Sequence, residues 1–399
     1  MESYNPEVGD RPVIIWGIAL YGEIAYKVLH DVYGREVEAF VDNKSAVIPW
    51  LNRKTICSSE LSKYHDCDVM CCVAVGMKSV EVESKRYESN GLRFFNIIDI
   101  LKIYIEKVRS GELAADNSYL YGTLNFEEMR EKYEYYCGHN NGYGEKIYLG
   151  YCVLCITTKC SLRCKECGAF VNYYYPQSDF RLSNIKEEFG RFLNIIDGIQ
   201  ELELMGGEPF LCSEFNEILK WCIAQSKIHA VKIITNGTIL PSEKTLQLLS
   251  DNKVKLVIDD YGKLSRKLQE LVKEAKKYRI RYEIQSLQTW YSLMPQKTGG
   301  GRNQKQLKAI YENCMFRSCI AIINGNLYHC NAAGHMHNAG LLTDMVIQYV
   351  NLKDQSVSDT TLRQIIQEYL AIPYLKACDY CNYSAHVEVP VAEQEGRNG

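Results

Sequence analysis

The chain has 399 residues, a formal net charge of −3, 46% hydrophobic and 24% charged residues, the composition of an ordinary folded protein. So small a charge gives no strong positive field for a polyanion, so nucleic acid is not an expected partner. With no run of about 18 apolar residues and no N-terminal signal pattern, the expectation is a cytoplasmic protein of two or three domains with no membrane role.

"RPVIIWG" (11–17) reads as an apolar strand, "YGEIAYKVLHDVY" (21–33) as a helix and "EVEAFVDN" (36–43) as a second strand. The turn "GIALYG" carries Gly17, Ala19 and Gly22, a variant of G-x-G-x-x-G with alanine in the middle. Asp42 lies twenty residues beyond Gly22, at the end of the second strand. In a dinucleotide site such an acid holds a ribose hydroxyl and the helix N-terminus faces a phosphate. Gly17, Ala19, Gly22 and Asp42 are therefore nucleotide-binding candidates, although the same turn also serves domains that bind no nucleotide. "DCDVMCCVAVG" (66–76) and "RFFNIIDI" (93–100) read as further strands of a small α/β domain over residues 1–110. Residues 111–145, polar and rich in tyrosine, read as a helical connector.

From residue 146 a second alternation begins. Strands are expected at 146–158, 200–207, 229–237, 253–260 and 281–287. Helices are expected at 185–197, 213–226, 242–251 and 263–278, with Ser242 as an N-cap. Strands alternating with helices imply a parallel sheet or barrel, with ligands at the C-terminal strand ends.

Seventeen cysteines is an odd number, and in a reducing compartment such residues are metal ligands or small buried apolar groups. Cys57, Cys67, Cys71, Cys72, Cys137, Cys212 and Cys222 are scattered and read as buried apolar residues. The others concentrate at 152–167, 314–330 and 378–381. "TTKCSLRCKECGAF" (157–170) places Cys160, Cys164 and Cys167 in the spacing C-x3-C-x2-C. A structural zinc site takes four ligands and a disulfide two. Three thiolates fit three irons of a [4Fe-4S] cluster and leave the fourth open. The alternative is zinc completed by a distant ligand.

With that loop after the first strand of the second alternation, the chain resembles the radical S-adenosylmethionine (SAM) enzymes over roughly residues 146–385. "MGGEP" (205–209), ending the next strand, resembles the family's Gly-Gly-Glu-Pro turn. The resemblance implies a partial (β/α)6 TIM-like barrel over 146–312, preceded by the Rossmann-like domain. It implies metal ligation by Cys160, Cys164 and Cys167, and SAM contacts from Gly206, Gly207 and Glu208. Asn236 of "TNG", with Asp259 and Asp260 of "IDDYG", would help hold the SAM ribose and carboxylate. The family's reaction is reductive cleavage of SAM to a 5′-deoxyadenosyl radical, which takes a hydrogen atom from the substrate. One departure is Glu166, where relatives place an aromatic residue against the adenine; Phe170 or Tyr173 would have to replace it.

Cys314, Cys319 and Cys330, with "NGNLYHC" as a tight hairpin, precede the C-x2-C pair Cys378 and Cys381. Residues 313–399 resemble the SPASM or shorter twitch extension of that family. No cysteine follows Cys381, so one auxiliary [4Fe-4S] cluster is expected, drawing four ligands from five candidates. Zinc held by the same residues is the alternative. His335 and His337 face either the substrate or solvent from a loop, and "TGGGRN" (298–303) reads as a flexible loop able to close over the site.

The resemblance implies an oxidoreductase that uses a flavodoxin- or ferredoxin-type electron donor. The first domain also resembles domains attached to enzymes of sugar and polysaccharide assembly, which favours a sugar or sugar nucleotide to be oxidised, epimerised or rearranged. The alternatives are a maturase that crosslinks or epimerises a ribosomal peptide and, more remotely, a non-catalytic iron–sulfur redox protein.

Overall fold

The computed structural model describes residues 4–7, 9–18, 20–42, 47–48, 51–72, 87–113, 147–286, 289–293, 299–312, 314, 316, 319–381 and 387–395. Ala19, Cys137 and the connector beyond residue 113 lie outside the described residues. The chain divides into two compact units, Met1–Asn141 and Gly142–Gly399.

In the first unit, β1 (Val13–Trp16), β2 (Val37–Val41), β3 (Asp68–Cys71) and β4 (Arg93–Asn96) form a parallel sheet in the order β2-β1-β3-β4. α1 (Leu20–Tyr26) continues as a π-helical stretch through Val32 and packs on one face, with α2 (Ile98–Arg109). Alternation divides the strands between two cores. Val13, Ile15, Phe40 and Met70 join Ile24, Leu29 and Ile100, while Ile14, Ala39, Val41 and Val69 pack on the other side. The strand expected over 93–100 stops at Asn96, because Ile98–Arg109 closes its hydrogen bonds as a helix.

Gly17 has φ +101°, and its N–H donates to Val41 O at 2.9 Å, so it lies beside Asp42 at the C-terminal sheet edge. A Cβ at Gly22 would sit 2.0 Å from Gly17 O, so only glycine lets α1 begin against the end of β1.

The second unit is built on one large, mostly parallel sheet. β5 (Tyr148–Leu149), β6 (Cys152–Thr157), β7 (Gly198–Gly206), β8 (Ile228–Thr235), β9 (Val254–Asp259) and β10 (Tyr282–Gln285) are parallel. α3 (Leu182–Ile195), α4 (Phe215–Ile223), α5 (Glu243–Leu249) and α6 (Leu268–Lys277) alternate with them. Ser242 caps α5 by accepting from the Thr245 N–H at 3.3 Å. β11 (Thr289–Tyr291) and α7 (Gln304–Glu312) follow, then a hairpin of β12 (Ile320–Ile323) and β13 (Asn326–Tyr328). Its turn, Asn324 (φ 50°) and Gly325 (φ 71°), has the two positive φ angles of the tight hairpin expected there. β12 pairs in parallel with β6, so the sheet runs on from the strands before residue 312 into the hairpin after it. α8 (Asn331–Asn338), β14 (Val350–Asn351), α9 (Asp359–Leu370) and β15 (Glu388–Pro390) complete the unit.

Leu202, Leu204, Val231, Ile233, Val254 and Leu256 point from the strands to α3–α6 and make the main core with Phe189, Phe192 and Ile218. The intervening strand positions face the other way and are charged: Glu201, Glu203, Lys232, Lys255 and Glu283. Of the scattered cysteines, Cys67, Cys71, Cys72, Cys212 and Cys222 are buried as expected, but Cys57 is exposed at the entry to a 3-10 turn. Among the described residues no helix is long and apolar enough to cross a membrane.

Candidate cofactor site

β6 ends at Thr157, and the loop that follows carries Cys160, Cys164 and Cys167 into one small apolar cluster with Leu162, Tyr261, Leu264 and Trp290. Loss of water pushes the Cys160 thiol up to about 12 and Cys164 up to about 11, and Cys167 is raised for the same reason. Ionising three such thiols needs a positive partner, and metal binding supplies one while releasing their protons. Donors are already arranged around the sulfurs. The Leu162 N–H lies 3.4 Å and the Asn236 amide 3.7 Å from Cys160 Sγ, and backbone N–H groups of Ala169, Phe170 and Val171 surround Cys167. Among the described residues no three His, Cys, Asp or Glu side chains converge on the place of a single metal ion. A cluster gives each thiolate its own iron and requires no such convergence.

The Gly206–Glu208 turn is docked on this loop. Gly207 N–H donates to Thr157 O at 3.2 Å and Glu208 N–H to Lys159 O at 2.8 Å. A Cβ on Gly206 would lie 2.1 Å from Thr157 O, and one on Gly207 would lie 2.3 Å from Lys159 O and 2.7 Å from Cys160 Cβ. The glycines let the ends of β6 and β7 touch. Glu208 is 0% exposed. Its carboxylate accepts from the Thr235 hydroxyl at 2.9 Å and the Asn236 N–H at 2.9 Å, tying the end of β7 to that of β8. Burial pushes it up to about 7 despite these bonds.

Asn236 is placed on the cysteine loop, with its amide also 3.2 Å from Ser161 Oγ. Asp259 ends β9, accepts from the Tyr261 hydroxyl at 2.7 Å, and is pushed up to about 6 by burial. Asp260 instead accepts from the Gly262 N–H in its own turn. Phe170 is buried against Val153, Cys155 and Ala332, while Tyr173 lies partly buried at the edge of that group. Glu166 accepts from the Ser292 hydroxyl at 2.8 Å.

One segment of the site had no sequence signal. The chain returns at β15, pairs with β11, and lays Ala392–Glu395 along the cysteine loop. Ala392, 1% exposed, joins the apolar cluster around Cys164. No local motif marks residues that meet across some 230 positions of sequence.

Of the five later cysteines, Cys319, Cys330 and Cys378 pack at the edge of one apolar cluster with Tyr328, Leu375 and Ala377. Cys330 feels Cys381, Cys319 and Cys378, while Cys378 feels Cys381 and Cys314. Burial pushes Cys319 and Cys378 up to about 12. Cys319 also neighbours Glu203 and Lys232 on the charged sheet face. The glycine-rich stretch is not a free lid over its described part. Gly300, Gly301 and Arg302 donate backbone N–H groups to Asp379, between the paired cysteines.

His335 and His337 lie on α8, not on a solvated loop. His337 bonds the Tyr328 hydroxyl and Asp344, both at 2.9 Å. His335 is 1% exposed, its Nδ1 is 2.9 Å from the Tyr174 hydroxyl, and burial pushes it down to about 3. Between pH 6.5 and about 3 the unfolded chain takes up a proton that native His335 refuses, so stability falls as pH drops. Urea midpoints measured at pH 7 and pH 5 should therefore converge in His335→Gln relative to wild type; parallel losses in both proteins would exclude His335 as the cause.

On the charged face, Lys232 pairs with Glu201 at 3.1 Å and Glu203 at 3.0 Å, and Lys255 pairs with Glu283 at 2.9 Å. The Tyr151 hydroxyl donates to Glu203. The signal was visible in "ELELM" (201–205): a strand covered on both faces by apolar layers does not carry a carboxylate at every second position.

No family model matches the chain. It is 33% identical over 101 residues to a GTP 3′,8-cyclase of Synechocystis sp., a match covering 25% of this chain and 29% of that one. It is 23% identical over 193 residues to a GTP 3′,8-cyclase of Aliarcobacter butzleri, covering 45% and 55%. The chain thus spans about a third to about half of the length of these curated relatives. Among solved structures it is similar to anSMEcpe with bound AdoMet, at 16% identity and TM-score 0.39 over 59% of this chain and 89% of that one. It is also similar to BtrN in complex with AdoMet and 2-DOIA, at 16% identity and TM-score 0.37 over 63% and 98%.

Proposed function

We propose that this chain is a radical SAM enzyme whose cluster is held by Cys160, Cys164 and Cys167. The observation that carries the reading is their gathering in one apolar cluster at the end of β6, against the Gly206–Glu208 turn and the Asn236 amide. The donor set fits the group: one buried and two half-buried thiols that need cationic partners, with N–H donors aimed at the sulfurs. A [4Fe-4S] cluster held there with SAM would supply reductive cleavage of SAM and, through it, hydrogen-atom abstraction from a substrate. Gly206 and Gly207 keep the turn at van der Waals distance from the cysteine loop, and Glu208 locks that turn to β8. The backbone of this turn, with Asn236, Asp259 and Asp260, would hold SAM, and the apolar side chains of Leu162, Leu264 and Trp290 would exclude water. The second unit is read as a partial (β/α)6 barrel continued by a twitch-like extension.

Cys319, Cys330 and Cys378 at one apolar cluster, with Cys314 and Cys381 near them in sequence, support one auxiliary cluster, which suits a reaction returning an electron. An oxidoreductase fed by a flavodoxin- or ferredoxin-type donor follows. The charged sheet face supports a hydroxyl-rich small molecule, such as a sugar, as substrate. It carries Glu201, Glu203 and Glu283 against Lys232 and Lys255, an excess of carboxylate that disfavours a phosphate there. Separately, in the first unit, Gly17, Ala19, Gly22 and Asp42 of the Rossmann-like domain are the candidates for binding a nucleotide.

Anaerobic reconstitution with iron and sulfide is expected to load about eight irons per chain, about four per cluster. With dithionite and SAM the loaded protein should form 5′-deoxyadenosine, read by chromatography. A cluster-loaded protein that forms none, and whose reduced-state electron paramagnetic resonance signal ignores SAM, would sink the reading.

A further inference from the structure

The cysteine loop is covered by a piece of chain far from it in sequence. Lys165 N–H donates to Glu393 O at 2.8 Å, and Glu395 N–H donates to Arg163 O at 2.7 Å. These two bonds straddle Cys164 and Gln394, which pair as an antiparallel bridge. Ion pairs Lys165–Glu393 and Arg163–Glu395 flank it. Between them the Gln394 side chain is fully used. Its Oε1 accepts from the Arg163 N–H at 2.8 Å, and its Nε2 donates to Ala392 O at 2.7 Å and to Cys164 Sγ at 3.2 Å. The carboxamide orientation follows from this network, since the flipped form would set an oxygen against Ala392 O.

We infer that the tail segment Ala392–Glu395 is a built part of the cluster site and that Gln394 is a positioning residue that sets the cluster's reduction potential through Cys164. The inference rests on the reading of Cys160, Cys164 and Cys167 as cluster ligands. Hydrogen bonds to cluster sulfurs, local charge and solvent exposure are the protein's means of tuning such a potential. An N–H donor on a thiolate sulfur stabilises the more negative, reduced state and raises the potential. Ala392, buried against Cys164, shuts water from the same side.

The test uses the full chain, reconstituted anaerobically, in three forms: wild type, Gln394→Met and Gln394→Glu. Methionine keeps the length and loses the donor. Glutamate keeps the shape and turns the donor into an anionic acceptor. The four backbone groups that hold the strap are untouched by either change. The SAM-responsive cluster is followed by electron paramagnetic resonance during a redox titration. Both variants should hold wild-type iron and show a midpoint shifted to more negative potential, with Glu shifted further than Met. Equal midpoints in all three proteins would overturn the inference. A second readout does not depend on side-chain chemistry: truncation after Pro390 should speed bleaching of the cluster absorbance in air, and an unchanged bleaching rate would count equally against it. Failure of the parent reading looks different, because the wild-type chain would then load no more iron than its Cys160, Cys164 and Cys167 triple-alanine variant.

Discussion

Replacing Cys160, Cys164 and Cys167 together by alanine is expected to reduce 5′-deoxyadenosine formation to the level of a protein-free control. About four irons per chain should be lost with it, while about four remain on the later cysteines. The reason is geometric as well as chemical. All three sulfurs belong to one apolar cluster, and no other cysteine of the described residues shares it. Of the later cysteines, Cys319, Cys330 and Cys378 belong to a different apolar cluster. Among the described residues, removing the three thiols leaves no other cysteine in that cluster to take their place. Retained 5′-deoxyadenosine formation in the triple variant would remove the central assignment, since no other residue set is proposed for the SAM-binding cluster.

The second large effect is expected from a single methyl group. In Gly207→Ala the new Cβ lies 2.3 Å from Lys159 O and 2.7 Å from Cys160 Cβ. Both neighbours are backbone or bonded directly to it, so neither can swing aside. Overpacking of this kind costs about 1–3 kcal/mol, and here the strain falls on the ligand loop. The variant should unfold at lower urea concentration and hold less iron, because Cys160 moves off its place. Gly150→Ala is the control: a Cβ there meets nothing within 4 Å, and its stability should stay within about 0.5 kcal/mol of wild type. Equal iron content in the two variants would show that the turn and the loop are not mechanically coupled.

Much of the site was readable because its information is local. The C-x3-C-x2-C spacing and the Gly-Gly-Glu-Pro turn are contiguous stretches, and strand–helix alternation told which strand ends they occupy. Apolar periodicity located β7 to β10 and α3 to α5 within a few residues, but the strand expected over 146–158 is broken into β5 and β6, and the helix expected from 263 starts only at Leu268. Where the local signal was weak, the reading failed. "NAAGHMHN" contains glycine, asparagine and histidine, poor helix formers, and was expected as a loop. It is helical because Ala332, Ala333 and Met336 are buried, and because Gly334 sits where a Cβ would lie 2.8 Å from the Tyr328 ring. Packing outweighs propensity there. Likewise glycine at 299–301 promised freedom, but Asp379 gathers the backbone N–H groups that glycine leaves accessible.

By itself, then, the sequence picked out three closely spaced cysteines and the glycine turn that the fold sets beside them, because residue spacing and turn chemistry are properties of neighbouring residues. The tertiary structure alone decided what surrounds them: Gln394 on Cys164, Glu208 turned inward to Thr235, Asp379 holding the glycine stretch, and Lys232 between two glutamates. These contacts join residues 27 to 230 positions apart. A period of 2 or 3.6 fixes only which face a side chain takes, and the partner it meets is set by how the strands and the returning tail pack.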